Sequence, residues 1–272
     1  MRRKSIKRVL DGVAMNLKDA VSLGPTFPLR HISGLLGRKY HVTTIKNAGK
    51  VHIRSKSLDA STFIEIFRGK AYDLSGLAQF PHVMANYQRI LDAKQIPIII
   101  DAGANVGAAS IWFARQFPEA RIIAIEPDAD NAEVCRLNTG RLPNVKVIEA
   151  AIGSEHGQVS LSNPANRSDS VQTTRSEGGK IPMRTISELV LEEQYQKQLF
   201  LVKIDIEGFE DDLFAKNTEW IDEAEVIIIE SHDWLFPGKG KSRNFQKAIA
   251  DREFEILISG ENLIYIRLPT VS

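Results

Sequence analysis

Cysteine is nearly absent from this chain, with Cys135 the one example in 272 residues. A disulfide within the chain is thereby excluded, and so is a cysteine-held iron–sulfur cluster or zinc site. Charge of one sign is not in surplus: 35 Lys and Arg stand against 34 Asp and Glu, a net charge of +1. That balance gives no electrostatic case for nucleic acid as the main partner. No apolar run is long enough to span a bilayer. The opening Met1-Arg2-Arg3-Lys4 resembles the basic flank of a secretory signal, but Asp11, Asn16, Lys18 and Asp19 interrupt the apolar run such a signal needs. A cytoplasmic location is therefore expected. Ile6, Val9, Val13 and Leu17 recur at helical spacing opposite the basic residues. Such a stripe either packs on its own protein or makes a weak peripheral contact with an anionic membrane.

Two nucleotide-binding signatures are also missing. A dinucleotide fingerprint in the register of Gly103 would need glycine at positions 105 and 108, where the chain has Asn105 and Ala108. A phosphate loop ending on Gly240-Lys241-Ser242 would need glycine at Leu235. What is present is a branched apolar run, Ile98 to Ile100, leading into Asp101-Ala-Gly103-Ala-Asn105-Val-Gly107. It predicts a buried parallel strand and a sharp turn into a helix. A second apolar run, Ile122 to Ile125, ends on Glu126, an acid placed to hold two ribose hydroxyls. Asp101 would repel a pyrophosphate and attract a ligand bearing an ammonium and a sulfonium. S-adenosylmethionine bears both, so it is the cofactor this pattern predicts.

Downstream, apolar strands alternate with amphipathic helices: Arg121 to Glu126, Val145 to Ala151, Phe200 to Asp205 and Val226 to Glu230. This alternation predicts a parallel sheet with right-handed crossovers. Phe254 to Ser259 and Leu263 to Arg267, joined by Gly260-Glu261-Asn262, predict a closing hairpin. Upstream, Asp59 is a candidate N-cap for a helix through Phe67, and a second helix is predicted from Val83 to Lys94. Ser162 to Lys180 is one long loop, disordered or a lid. Ligands of such sheets bind beyond the carboxyl ends of the strands. There the chain offers Asp205, Glu207, Glu230, His232 and Asp233.

The runs Asp101 to Gly107, Glu126-Pro127, Pro182 to Leu189, Phe63 to Tyr72 and above all Lys203-Ile-Asp-Ile-Glu-Gly-Phe-Glu210 resemble the FkbM-type methyltransferase family, over roughly residues 50 to 267. The resemblance implies an α/β, Rossmann-like class I methyltransferase fold: a mostly parallel seven-stranded sheet, helices on both faces, an antiparallel C-terminal hairpin and an N-terminal cap. The expected division is an extension and cap over 1–80 and an S-adenosylmethionine-dependent domain over 81–272. It also implies methyl transfer to a hydroxyl on a saccharide or a polyketide-like natural product. By the same similarity Asp101, Gly103, Asn105 and Gly107 fall at the methionyl end of the cofactor, Glu126 at the ribose, and Ala151 and Ile152 near the adenine.

An alcohol needs its proton removed as it attacks a methyl carbon. His232, whose ordinary pKa lies near neutrality, is the first candidate base, with Glu207 second and Asp205 beside them. Glu230, Asp233 and, in the cap, Tyr72 are candidates for acceptor binding. Asp205, Glu207 and Glu230 offer hard oxygen ligands, but without a fixed ligand spacing no metal is assigned. A nicotinamide-dependent oxidoreductase and a non-catalytic cofactor-binding protein are the alternative readings.

Overall fold

A computed structural model describes residues 15–30, 36–55, 57–162 and 172–269. They fall into two compact units, one running up to Tyr72 and one beginning at Asp73.

In the first unit, β1 (Tyr40–Ile45) and β2 (Gly49–Arg54) form an antiparallel hairpin. The alternating burial of β1 puts His41, Thr43 and Ile45 on the covered face of a pleated ribbon and Val42 and Thr44 on the open one. A helix over 15–23 brings buried Asp19 to Arg30 and Arg68. Asp59 is not an N-cap. It opens a short helix, Asp59–Phe63, and its carboxylate takes the Arg54 guanidinium at 2.8 Å. Of the amphipathic stripe read from the sequence, Ile6, Val9 and Val13 lie outside the described residues, and Leu17 is exposed. Among the described residues, no helix is long and apolar enough to cross a membrane.

The second unit is built on β3 (Ile96–Ala102), β4 (Arg121–Ile125), β5 (Val145–Ile148), β10 (Lys197–Ile204), β11 (Val226–Glu230), β12 (Phe254–Ser259) and β13 (Asn262–Arg267). These seven strands pair in the order β12-β13-β11-β10-β3-β4-β5. β13 is antiparallel to both neighbours, and every other pairing is parallel. The doubly wound Rossmann-like sheet with its antiparallel C-terminal hairpin is therefore present. Helices α1 (Phe80–Asp92), α2 (Ala108–Gln116), α3 (Ala129–Thr139), α4 (Ile186–Leu191), α5 (Glu210–Leu213), α6 (Trp220–Glu223) and α7 (Arg243–Ala250) fill the connections. Ile98, Ile100 and Ala102 join one core cluster, with residues of α4 to α7. Ile99 and Asp101, between them on β3, point to the other face and are equally buried. Both faces are thus covered, which is why β3 reads as an unbroken apolar run.

Val145 to Ala151 is not one strand. Glu149 and Ala150 break it, and β6 (Ala151–Ile152) leaves the large sheet to pair with β9 (Ile181–Arg184). With β7 (Gly157–Ser162) and β8 (Gln172–Arg175) they make a second sheet, order β6-β9-β7-β8. The stretch predicted as one loop from Ser162 to Lys180 therefore contains a strand, because Thr173 and Thr174 pair across to β7. Residues 163–171 lie outside the described residues.

Candidate active site

Strand order reverses between β3 and β10, so the crevice of the sheet opens where those two strands end. A cavity sits there. Its wall combines Gly103, Asn105, Glu126 and Asn131, the apolar Ile125, Ala150, Ala151 and Ile152, and Asp205, Ile206, Glu207 and Phe209.

The turn after β3 has two left-handed glycines, and each meets protein rather than open space. A Cβ on Gly103 (φ +78) would lie 1.7 Å from the carbonyl oxygen of Asp205, so glycine is what lets this turn pass the end of β10. A Cβ on Gly107 (φ +83) would press on Cys135 and Thr139 of α3. Gly107 is therefore a helix-packing glycine and does not line the cavity. Asn105, at φ +48, does, and its buried Oδ1 has no hydrogen-bond partner.

Asp101 departs from its expected role. It is fully buried, accepts from Ser110 Oγ at 2.6 Å, and stands 3.2 Å from Lys203 Nζ. Lys203 lies directly opposite it in the strand register and also donates to the carbonyl of Gly103 at 2.7 Å. The charge of Asp101 is thus answered inside the protein. Its side chain anchors the turn to β10 and is not offered to a ligand's ammonium. Lys203 escaped the sequence reading; a lysine within the apolar run Leu199 to Ile204 was the signal that a buried acid lay opposite.

Glu126 follows β4, and the turn wraps around it. Its Oε2 accepts from the Asn105 N–H at 2.8 Å, and its Oε1 from the Asp128 N–H at 3.0 Å. Burial pushes its carboxyl up to about 7, only partly opposed by those two backbone donors and Asn131. Ala151 and Ile152 add apolar surface to the cavity wall.

The rim at the ends of β10 and β11 brings together Asp205, Glu207, Glu230 and His232. Glu207 is held in the left-handed region (φ +54), followed by Gly208 (φ +92), where a Cβ would strike the Phe236 ring. His232 is 2% exposed and sits behind the carboxylates rather than on the cavity wall. Its Nδ1–H donates to Glu210 Oε1 at 2.7 Å, and Nε2 faces Asp205, Glu207 and Glu230 at 3.7, 3.8 and 3.7 Å. Burial opposes a charged ring, but the bond to Glu210 and the charges of Glu210, Asp205 and Glu207 outweigh it and push the ring up to about 9. At neutral pH His232 is therefore already protonated, which removes it as the first candidate base. Glu210, quoted in the motif but given no role, is the residue the sequence reading missed here.

Another candidate, Asp233, is engaged elsewhere. Asp233 accepts from both the N–H and the hydroxyl of Ser242, which holds its carboxyl below the usual range and makes it a support for the loop before α7. Tyr72 is a buried residue of the first unit.

The FkbM methyltransferase domain matches residues 101–258, which include every one of the cavity's lining residues. The chain belongs to this family. Relatives include the 2-O-methyltransferase NoeI of Sinorhizobium fredii, 26% identical over 159 residues (52% of this chain, 65% of NoeI). Another is the hexuronic acid methyltransferase AglP of Haloferax volcanii, 24% identical over 149 residues (54% and 60%). The chain thus spans less than two thirds of the length of these curated relatives. Among solved structures, an O-methyltransferase from Bacillus cereus in complex with SAH is 14% identical over 76% of this chain and 90% of its own, with a TM-score of 0.39. A methyltransferase from Geobacter sulfurreducens is 17% identical over 76% and 88%, with a TM-score of 0.33.

Proposed function

We propose that this chain is an S-adenosylmethionine-dependent O-methyltransferase whose acceptor is a hydroxyl on a saccharide or a polyketide-like molecule. The observation that carries the reading is one cavity, at the ends of β3 and β10, whose wall combines apolar side chains at Ala151 and Ile152, the acid Glu126 and carboxylates at Asp205 and Glu207. An adenine, a ribose and a charged sulfonium amino acid call for surroundings of those three kinds. The residues fit the cofactor: Gly103 keeps the turn close to β10, Asn105 Oδ1 is a buried acceptor awaiting a donor, and Glu126 has lone pairs beyond its two backbone bonds for the ribose hydroxyls. Bound there, the cofactor supplies a methyl carbon activated by a positive sulfur.

The protein's part is alignment and proton removal. Asp205 and Glu207 reach the cavity, so the acceptor hydroxyl donates to one of them, Glu207 being our choice of base. Glu230 and His232 hold the rim behind them. We assign catalysis to the unit over 81–272 and treat 1–80 as an extension and cap. The hexuronic acid in the name of AglP supports a saccharide for this chain too, and the 2-O-methyl transfer in the name of NoeI supports an oxygen acceptor.

Calorimetric titration with S-adenosylmethionine, run beside NAD and beside Glu126→Ala, tests the reading. Micromolar binding of S-adenosylmethionine alone, lost in the variant, supports it. Binding of NAD instead, or of neither, overturns it.

A further inference from the structure

The rim holds more negative charge than a proton acceptor requires. Asp205, Glu207 and His232 each present one donor atom, and these three atoms lie within 4.8 Å of one another. This is more than a surface cluster of acids, because its third member is a ring buried to 2% exposure. That ring is fixed from behind: Nδ1 donates to Glu210 Oε1 at 2.7 Å, and Glu210 is itself 1% exposed. Nε2 is aimed forward into the cluster, where its nearest oxygens stand at 3.7 to 3.8 Å, too far for a hydrogen bond. A buried nitrogen directed at oxygens it does not bond, and oriented by a carboxylate on its other nitrogen, is the arrangement of a histidine that ligates a metal.

We infer that Asp205, Glu207 and His232 form a site for a divalent first-row cation, which on binding displaces the proton from Nε2 while Glu210 keeps the one on Nδ1. An ion at about 2.1–2.2 Å from each donor needs donors no more than roughly 4.3 Å apart, so a contraction of a few tenths of an ångström closes the set. One imidazole among carboxylates favours Mn²⁺ over Mg²⁺ or Ca²⁺, which take oxygen alone. Glu230, 3.7 Å from Nε2, is placed to accept from a water on the ion. Because Asp205 and Glu207 also line the cavity, the ion would meet the acceptor hydroxyl, lower its pKa and fix its oxygen. That role rests on the methyl-transfer reading; the site itself does not.

The test is titration of the full chain, stripped of metal by chelation, with Mn²⁺, reading free Mn²⁺ by electron paramagnetic resonance. The expected result is one micromolar site per chain that an excess of Mg²⁺ does not empty. Glu207→Gln and His232→Gln should each weaken it by at least about tenfold. Glu210→Gln keeps every ligand and loosens only the histidine's support, so it should weaken binding by about 10–100-fold while the far-ultraviolet circular dichroism stays that of the wild type. Glu149→Gln, on the surface, should leave it unchanged. No stoichiometric binding by the wild type at millimolar Mn²⁺, or equal binding by wild type and all three rim variants, overturns the site. S-adenosylmethionine titration of the same preparation separates the two readings. Mn²⁺ bound without cofactor overturns the methyl-transfer proposal alone, and cofactor bound without Mn²⁺ overturns the metal site alone.

Discussion

Two acidic groups lie at the end of the same sheet, and they are built in opposite ways. Asp101, on β3, has its charge answered by Lys203 across the strand pair and by Ser110 on the following helix. At the rim, Asp205, Glu207, Glu230 and Glu210 surround a single ring, His232. The first group is closed, since its charge holds a turn to a strand and none is left for a ligand. The second is open, since two of its carboxylates, Asp205 and Glu207, line the cavity, Asp205 while also standing 3.6 Å from Lys203 Nζ. Charge that a protein has already neutralised is architecture; charge left over at a cavity is where a ligand is expected.

The closed group is the one whose disruption should cost most. Lys203→Met leaves Asp101 as a buried, unanswered carboxylate, and denaturant unfolding should show a loss of roughly 3–5 kcal/mol. Adding Asp101→Asn should recover most of it, and a double variant no better than the single would break the comparison. Gly103→Ala comes next. Its Cβ meets the Asp205 carbonyl at 1.7 Å from a left-handed φ, so stability should fall by about 2 kcal/mol and cofactor affinity with it. In the open group the effect should appear in function instead. Glu210→Gln should lower turnover by about 10–100-fold with cofactor affinity and unfolding midpoint nearly unchanged.

Glu126 belongs to neither group, and pH probes it. Its carboxyl in the folded chain titrates near 7 rather than at the ordinary 4.5. Below that value it is neutral and a poorer acceptor for ribose hydroxyls, so affinity for S-adenosylmethionine should fall as pH drops below 7, approaching about tenfold per unit. Glu126→Gln should flatten that dependence in calorimetry. The linked effect on folding has the opposite sense: between 4.5 and 7 the folded chain keeps a proton the unfolded chain has lost, so stability falls by ~3 kcal/mol as pH rises through that range. The smallest effect should come from an ion pair of neither group. Arg136 and Glu149 pair at 3.0 Å with both side chains nearly half exposed, and Arg136→Ala should change stability by less than about 1 kcal/mol.

Particular residues show how far sequence reasoning reached. Ile98 to Ile100 and Ile122 to Ile125 announce parallel strands because a strand covered on both faces must be apolar at every position. The Gly260 turn between β12 and β13 is equally plain. The Val145 to Ala151 run was misread as one strand, since nothing local says that Ala151 and Ile152 will pair with β9, thirty residues away. Asp59 has the residue type of an N-cap, yet Arg54 on the neighbouring strand claims its carboxylate. His232 looks like a base when its pKa is taken as that of a free side chain, and three carboxylates of the Asp205 to Glu210 run, brought against it from the neighbouring strand's end, reverse that.

The sequence by itself determined the parallel strands of the large sheet and its closing hairpin, the turn after β3, the acid after β4 and the acidic strand ends, because these follow from hydrophobic period and local backbone chemistry. Only the tertiary structure decided which acids are neutralised and which are left facing the cavity. That choice depends on distances between residues far apart in the chain, Asp101 from Lys203 and His232 from Glu210, and electrostatic energy is a function of those distances and of burial, neither of which a linear pattern contains.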